Sequence, residues 1–436
     1  MSAEQSVGGG NPLVRRLADW DADRLRDLAA EHGTPLYVTD LDRVAENCAR
    51  LRDAFSGADV KYAVKAHTGR AVLETVHEAG LDAECASAGE VRRALDAGFP
   101  GERVDYTAVN PPACDLDSVV EWWGDHPDPT ITVGARDTLD RLAERGYDGR
   151  VCVRVNPGVG AGHHEKVRTG AAPKFGVPYD RAAEVVADAR DRFDVVGIHA
   201  HAGSGIHAEE DLAAHRDLVA RMGELAREIG SAGDEGGDGA LEFVNVGGGF
   251  GVPYREDDPA LDLDAVADAT REALGDVAAT LAVEPGRYVV ADAGVLLTRV
   301  NTVKPTPETT VAGVDAGMTD LLRPAMYDAY HAIRTLDVDE ADAEGTPEDC
   351  ARDTGPVTVA GPICETGDTF CDARELPIPE RDDLLAVGNA GAYGYEMAST
   401  YNSRSRPAEV SLAGDPLRER ETLAGVTRLE RRGERE

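Results

Sequence analysis

The chain has 436 residues, of which 81 are acidic and 45 are basic, so its formal net charge is −36. A surface this acidic repels nucleic acids and anionic lipids, which argues against partners of either kind. Its seven cysteines are odd in number and contain no CxxC pair, which argues against a disulfide framework or a zinc ribbon. No signal peptide or membrane-spanning apolar run is evident, so we expect a cytoplasmic protein.

The charge is distributed in an unusual way. Acidic residues occur along the whole chain, aromatic residues make up 5%, and lysine is nearly absent because almost every basic residue is arginine. Concentrated salt screens the self-repulsion of such a surface. We therefore expect a halophilic protein.

Residues 1–34 are predicted to be a polar tail followed by a segment that packs against a second domain. Short apolar runs then alternate with amphipathic patterns over residues 35–290. The predicted strands are Leu36–Val38, Val60–Ala66, Asp82–Cys85, Val104–Thr107, Thr130–Val133, Val151–Val155, Val195–Ala200, Phe243–Val246 and Ala282–Glu284. About eight strand–helix alternations predict an α/β fold of the (β/α)₈ TIM-barrel type.

The alternation of predicted strands and helices ends after residue 290. Residues 291–436 contain apolar, strand-like runs with few helical patterns between them. This predicts a second, mainly β domain with a sandwich-like or barrel-like sheet.

Lys65 is the first candidate for chemistry, because the chain otherwise replaces lysine with arginine. It lies near the end of the predicted strand Val60–Ala66, where barrel enzymes place their active sites. An amine can lose its proton and attack a carbonyl, which a guanidinium cannot do. The commonest Schiff-base partner of such a lysine is pyridoxal phosphate. The alternative is a lysine whose stem is buried and whose ammonium group reaches water.

Three further strand ends fit a phosphorylated ring cofactor. His201 could stack on a pyridine ring, and Ser204 and the glycines 247–249 could contact a phosphate. Glu284 could keep a pyridine nitrogen protonated, and Arg287 could bind a carboxylate or a phosphate. A metal site at His199 and His201 is the rival interpretation, but no carboxylate close in sequence completes it.

Eight motifs, taken in order, resemble the fold-type III PLP-dependent decarboxylases, whose barrel is shared with alanine racemase. The resemblance covers about residues 35–402 and is nearest to the diaminopimelate decarboxylases. The motifs are Tyr62-Ala63-Val64-Lys65-Ala66, Lys174-Phe175-Gly176, His201-Ala202-Gly203-Ser204, Gly247-Gly248-Gly249, Glu284-Pro285-Gly286-Arg287, Arg323-Pro324-Ala325-Met326-Tyr327, Gly361-Pro362-Ile363-Cys364-Glu365 and Gly391-Ala392-Tyr393.

The resemblance implies a cofactor site for pyridoxal 5′-phosphate. Lys65 is expected to form the Schiff base, His201 to stack on the ring, and Glu284 to contact its nitrogen. Ser204 and the backbone amides of Gly248 and Gly249 are expected to hold the phosphate. The full set of expected cofactor residues is Lys65, His201, Ser204, Gly248, Gly249, Glu284, Pro285, Gly286, Arg287 and Tyr393.

The resemblance also implies the substrate site, which holds no metal. Cys364 is the expected proton donor, and Lys65 and His201 are the other expected catalytic residues. In this family the Cys364–Glu365 segment reaches the site of the partner subunit, so a homodimer is expected. The expected substrate residues are Arg287, Arg323, Tyr327, Glu365 and Tyr393.

The expected reaction is decarboxylation of meso-2,6-diaminopimelate at its D-centre to L-lysine and carbon dioxide, the last step of lysine biosynthesis. A zwitterionic substrate head needs both cations and an anion for its recognition, and the segment from Arg323 to Glu365 supplies both. The alternatives are an ornithine or arginine decarboxylase of the same fold, a non-catalytic PLP carrier, and a metal-dependent hydrolase. Two positions depart from the family pattern: His67 replaces Asn, and Thr366 replaces Ser.

Overall fold

The computed structural model of the chain describes residues 14–125, 129–162, 174–207, 209–231, 240–337 and 352–430. The predicted polar tail therefore lies outside the described residues. The helices are α1 Ala22–His32, α2 Leu41–Ala54, α3 Arg70–Glu78, α4 Ala88–Asp96, α5 Ala113–Asp125, α6 Arg136–Ala143, α7 Tyr179–Arg190, α8 Glu209–Ser231, α9 Leu263–Leu274, α10 Arg287–Val290, α11 Arg323–Tyr327 and α12 Leu423–Val426.

The strands belong to a barrel, to a second sheet, and to a short pair beside the barrel. They are β1 Leu36–Thr39, β2 Asp59–Ala63, β3 Asp82–Cys85, β4 Val104–Tyr106, β5 Thr130–Val133, β6 Arg150–Asn156, β7 Ala161–Gly162, β8 Val177–Pro178, β9 Asp194–His199, β10 Gly203–Ser204, β11 Phe243–Gly248, β12 Thr280–Glu284, β13 Gly294–Pro305, β14 Thr310–Val314, β15 Ile333–Thr335, β16 Thr354–Ala360, β17 Thr369–Pro377, β18 Leu384–Val387, β19 Ala408–Ser411 and β20 Pro416–Arg418.

The barrel strands are apolar because helices cover them outside and side chains fill the space within. Around the barrel the order is β2, β3, β4, β5, β6, β9, β11 and β12, every neighbouring pair is parallel, and β12 pairs with β2 to close the ring. This confirms the predicted (β/α)₈ barrel. Closure brings the carboxyl ends of all these strands to one mouth.

The surrounding helices form where apolar residues recur at helical spacing. In α2, Val44, Cys48 and Leu51 share one buried face, and the side chain of Asp40 caps the first turn by accepting from the amides of Asp42 and Arg43. In the described part of the chain, no helix combines the length and apolarity that crossing a bilayer requires.

The second domain is mainly β, as predicted. Its sheet runs β17, β16, β14, β13, β1, β19 and β20, and β18 joins it by pairing with β13 and β15. Two apolar clusters pack on this sheet, one of which also contains Leu25 and Leu28 of α1. Helix α1 therefore packs on the second sheet.

The strand Leu36–Thr39 differs from our expectation that residues 35–290 form the barrel. It pairs antiparallel with β13 and parallel with β19, so it belongs to the second sheet. A short apolar run can form its backbone hydrogen bonds in either sheet, so its sequence does not show which sheet it joins. That is decided by pairing with strands far away in the chain. The first barrel strand is β2.

Candidate active site

A cavity of about 420 Å³ lies at the mouth of the barrel, next to the segment that follows β14. This volume is within the range of small-molecule sites. Its lining combines the carboxyl ends of several barrel strands with α10, α11 and the segment after β18. The lining residues are Ala63, Lys65, Glu84, Ala86, Thr107, Val109, Arg154, Phe175, His201, Ser204, Gly249, Glu284, Gly286, Arg287, Arg323, Tyr327, Tyr393 and Met397.

Lys65 lies just past the end of β2. We expected the strand to continue to Ala66, but it ends at Ala63 and the chain turns through a short 3₁₀ helix, Val64–Ala66. The amide of Tyr393 donates to the carbonyl of Ala66 at 2.8 Å and so fixes the turn. This turn directs the lysine into the cavity, where its side chain remains 40% exposed.

The ammonium nitrogen of Lys65 lies 2.7 Å from Oε2 of Glu84. The pairing follows from register, because Ala63 on β2 is opposite Glu84 on β3. Burial opposes the charge of Lys65, but the Glu84 carboxylate outweighs it and raises the pKa of the lysine. In this state Lys65 is an ion-paired cation, and Glu84 is the group placed to accept its proton.

Glu284 ends β12 and is held by two neighbouring strands. Its Oε2 lies 3.1 Å from Nε2 of His199, and its Oε1 accepts from the side-chain amide of Asn245 at 2.8 Å. Burial opposes ionisation, but the contact with His199 and the charge of Lys65 hold the pKa of Glu284 well below its ordinary value. The cavity therefore contains a fixed carboxylate opposite the lysine.

His201 follows β9 and presents its imidazole to the cavity. The amide of Gly248 donates to its Nδ1 at 3.2 Å, so Nδ1 is an unprotonated acceptor. Burial and the charge of Lys65 lower the pKa of His201 to about 3. The ring is a neutral, oriented plate, which suits stacking on an aromatic ligand.

The glycine run at the end of β11 brings backbone close to the cavity. Gly249 has φ +91°, and a Cβ there would lie 2.2 Å from the carbonyl oxygen of Gly203, so no other residue fits. Gly249 and Ser204 both line the cavity. Gly248 differs from our expectation, because its amide is directed to His201 and the residue is not in the lining.

Arg287 and Arg323 converge on Tyr254 from two elements. The phenol oxygen of Tyr254 accepts from Arg287 at 2.8 Å and from Arg323 at 2.9 Å. Arg287 also donates to the hydroxyl of Ser204 at 3.0 Å, and Arg323 donates to Nε2 of His331 at 2.9 Å. We call these four residues, Arg287, Arg323, Tyr254 and His331, the arginine wall.

Of the other residues expected to bind cofactor or substrate in this region, three line the cavity and one does not. Tyr327, Tyr393 and Gly286 line the cavity, and the ring of Tyr393 lies 4.9 Å from the Arg287 guanidinium carbon. Pro285 is outside the lining, and its carbonyl accepts from the amide of Ala63 at 3.0 Å. Pro285 therefore joins the ends of β12 and β2.

Cys364 and Glu365 lie away from the cavity of their own chain. Both are exposed. Asn402 donates to the sulfur of Cys364 at 3.3 Å, and the hydroxyl of Tyr401 donates to Glu365 at 2.6 Å. Neither residue is among those that line this cavity.

Five site residues were missed by the sequence reasoning: Glu84, Arg154, Asn245, Tyr254 and His331. For two of them a signal existed, because Glu84 and Arg154 are charged residues inside apolar strands. Arg154 faces the ring of Phe175 at 5.1 Å, and burial lowers the pKa of its guanidinium. Tyr254 and His331 lie in segments without a periodic pattern, so their sequence gave no signal.

The described residues contain no group of three or more histidine, cysteine or carboxylate side chains that could hold a metal ion. His199, which was one of the two histidines of the metal alternative, is directed to Glu284. The donors instead fit pyridoxal 5′-phosphate: an amine, a neutral ring, a carboxylate, and a hydroxyl beside a glycine with no room for a side chain. In addition, Nε of the buried Arg287 has no acceptor in the described part of the protein.

Residues 41–291 match the family model described as "Pyridoxal-dependent decarboxylase, pyridoxal binding domain". The diaminopimelate decarboxylase of Methanothermobacter thermautotrophicus is 41% identical over 422 residues, which cover 92% of each chain. That of Escherichia coli K12 is 34% identical, covering 94% of this chain and 97% of the relative.

A solved structure is similar over nearly the same length. The crystal structure of diaminopimelate decarboxylase from Helicobacter pylori complexed with L-lysine superposes with a TM-score of 0.81 at 32% identity. The match covers 93% of this chain and 99% of the other. The similarity therefore includes both the barrel and the second domain.

Proposed function

The chain belongs to the pyridoxal-dependent decarboxylases, and we propose that its cavity decarboxylates meso-2,6-diaminopimelate at the D-centre, giving L-lysine and carbon dioxide. It is a carboxy-lyase that uses pyridoxal 5′-phosphate, and this reaction is the last step of lysine biosynthesis. The observation that supports this substrate is that two buried guanidinium groups, those of Arg287 and Arg323, line the same cavity as Lys65. They suit a substrate with a carboxylate at its far end.

The cofactor residues are assigned by their place in the cavity. Pyridoxal phosphate, when bound, supplies a ring that withdraws the electrons of the breaking carbon–carboxylate bond. Glu284 would hold a proton on the ring nitrogen, because its own pKa is kept low. The neutral imidazole of His201 would cover one face of the ring. Ser204 and the amide of Gly249 would contact the phosphate.

Lys65 must lose a proton before its nitrogen can attack a carbonyl. Glu84 lies within hydrogen-bond distance of that nitrogen, and its burial favours the protonated carboxyl. We propose that the proton moves from Nζ of Lys65 to Oε2 of Glu84. The pair then holds a neutral amine beside a neutral acid, so neither group is a buried charge.

The distal L-centre of the substrate carries an ammonium group and a carboxylate. We propose that Arg287, Arg323 and Tyr327 bind the carboxylate, with Tyr393 touching both cofactor and substrate. Ornithine presents only an ammonium group at this end, and two buried guanidinium groups repel it. This is why diaminopimelate is favoured over the ornithine or arginine alternative.

The direct test is carbon dioxide release from a panel of diaminopimelate, lysine, ornithine and arginine at equal concentration. We expect diaminopimelate to have a kcat/KM value at least roughly a hundredfold above the others, because only it satisfies both ends of the cavity. Faster release from ornithine or arginine would replace the proposed substrate. Absence of release from all four would contradict the proposed reaction.

We propose that the enzyme is a homodimer in which Cys364 returns the proton and Glu365 binds the distal ammonium group of the substrate in the partner's cavity. The exposure of both residues and their absence from the lining of their own chain's cavity support this. Mixing Lys65→Ala with Cys364→Ala subunits tests it, because each hybrid dimer then has one intact site. Random reassociation should restore about a quarter of the wild-type activity. A mixture as inactive as its two components would contradict shared sites.

We also propose a cytoplasmic location and adaptation to salt. The described cysteines are all free, which suits a reducing compartment. Ion pairs on the surface use arginine, as in Arg92–Asp96 and Arg136–Glu184. The free energy of unfolding should rise between low and molar salt, and equal values at both would contradict the adaptation.

A further inference from the structure

Tyr254 belongs to none of the sequence motifs, yet it contacts both arginines of the cavity. It follows β11 by several residues and is not in the cavity lining. Its hydroxyl nevertheless joins the two arginines to which the proposed function gives the distal carboxylate. The bonds measure 2.8 Å to Arg287 and 2.9 Å to Arg323.

Two buried guanidinium groups repel each other, and a shared acceptor that takes a hydrogen bond from each of them offsets part of that repulsion. In the described part of the protein, neither Arg287 nor Arg323 pairs with a carboxylate. The phenol oxygen of Tyr254 is the acceptor that they share. Its ring also lies under both cations, 5.9 Å from the Arg287 guanidinium carbon and 5.0 Å from that of Arg323.

His331 fixes the second arginine from the other side. A guanidinium can only donate, so Nε2 of His331 must be the unprotonated nitrogen that accepts from Arg323 at 2.9 Å. Its Nδ1 then donates to the carbonyl of Gly388 at 2.8 Å. A neutral acceptor on each side orients Arg323 without neutralising it.

We propose that Tyr254 is a positioning residue for substrate selection: it holds Arg287 and Arg323 side by side so that they bind one carboxylate together. This inference rests on the proposed function, which places the distal carboxylate at these arginines. Tyr254 itself is outside the lining of the cavity. Its loss should therefore weaken recognition of the carboxylate and leave the chemistry at Lys65 in place.

The test uses Tyr254→Phe holoenzyme and two competitive inhibitors, L-lysine and 1,5-diaminopentane, which differ by one carboxylate. We expect the inhibition constant of lysine to rise roughly tenfold, because hydrogen bonds to charged groups are worth about this much. That of diaminopentane should change less than about twofold. The KM value for diaminopimelate should rise with lysine's constant while kcat stays within about threefold.

Three variants make the result decisive. Tyr147→Phe removes another buried hydroxyl, which bonds the carbonyl of Arg150 at 2.8 Å near the opposite end of the barrel, and should change neither constant. His331→Gln replaces the other acceptor of Arg323, removes the ring that packs edge-on against Tyr254, and leaves the Tyr254 hydroxyl in place. It should give the same split to a smaller extent. Arg323→Met tests the carboxylate site itself.

The outcomes distinguish an error in the proposed carboxylate site from an error in the role of Tyr254. If Arg323→Met leaves the lysine constant unchanged, the proposed carboxylate site is wrong. If Arg323→Met raises it but Tyr254→Phe does not, only the role of Tyr254 is overturned. An equal rise for lysine and diaminopentane in Tyr254→Phe would also overturn it, because general damage to the cavity affects both ligands.

Discussion

On the barrel side of the cavity, Lys65 pairs with Glu84 and Glu284 pairs with His199, whereas the cations of the arginine wall bond only to neutral groups among the described residues. Each of these two carboxylates thus has a side-chain partner before any ligand arrives. The arginine wall keeps an excess of positive charge. The difference indicates which side must gain an anion, and it separates residues that do chemistry from residues that select the substrate.

The largest effect should come from breaking the balanced pair at Lys65. Lys65→Ala removes the only amine in the described cavity lining, so turnover should fall roughly a thousandfold or more. The visible absorbance of the protein-bound cofactor should be lost as well. Lys304→Ala, at an exposed position of β13, is the matched control and should keep both. A Lys65→Ala protein with wild-type absorbance and turnover would contradict the assignment.

The second charge on the barrel side gives the next effect. Glu284→Gln keeps the hydrogen bond from Asn245 but removes the negative charge that would hold a proton on the ring nitrogen. We expect kcat to fall roughly a hundredfold or more, with smaller changes in cofactor content and in the KM value. Steady-state kinetics with measured cofactor occupancy would check this. A change confined to KM would place Glu284 in substrate recognition instead.

Removing a cation from the arginine wall should produce the opposite kinetic pattern. Arg323→Met keeps the length of the side chain but removes a charge that would be paired with the substrate. We expect kcat/KM for diaminopimelate to fall roughly a hundredfold, mostly through KM. Loss of kcat at unchanged KM would mean that Arg323 acts in the chemical step, and the assignment of the arginine wall to substrate recognition would be wrong.

The barrel side of this comparison was predictable from sequence, and the arginine wall only in part. Lys65, His201 and Glu284 lie at or just after the ends of strands in a repeating pattern, so barrel topology alone brings them to one mouth. Arg323 and Tyr327 required the resemblance to a family, because no periodic pattern locates them. Tyr254 and His331 could not be predicted, since their roles depend on where loops from distant parts of the chain come together. The same limit misplaced Leu36–Thr39, because a strand's sequence does not specify its sheet.

The smallest expected effect concerns pH and uses a histidine of the arginine wall. Burial, together with the charge of Arg323, lowers the pKa of His331 to about 3. Burial lowers the pKa of His215, which is on α8 and bonds to Thr270 of α9, to about 4. In the unfolded chain, histidine binds a proton below about pH 6.5. Between that value and about pH 4 the unfolded state therefore holds more protons. Stability is present above pH 6.5 and is lost as the pH falls, by about 1.4 kcal/mol per pH unit for each histidine.

Urea unfolding at pH 7.5 and at pH 5.5, with the same molar-range salt concentration in both, measures this loss of unfolding free energy. His331→Gln should reduce the difference between the two free energies of unfolding by about 1 kcal/mol, because glutamine does not titrate. His215→Gln should remove a similar and independent share, since the two sites have no partner in common. An unchanged difference in His331→Gln would mean that this imidazole can take up a proton beside Arg323. A protonated His331 could not accept the hydrogen bond from Arg323, so a neutral acceptor on both sides would not be needed to orient this arginine.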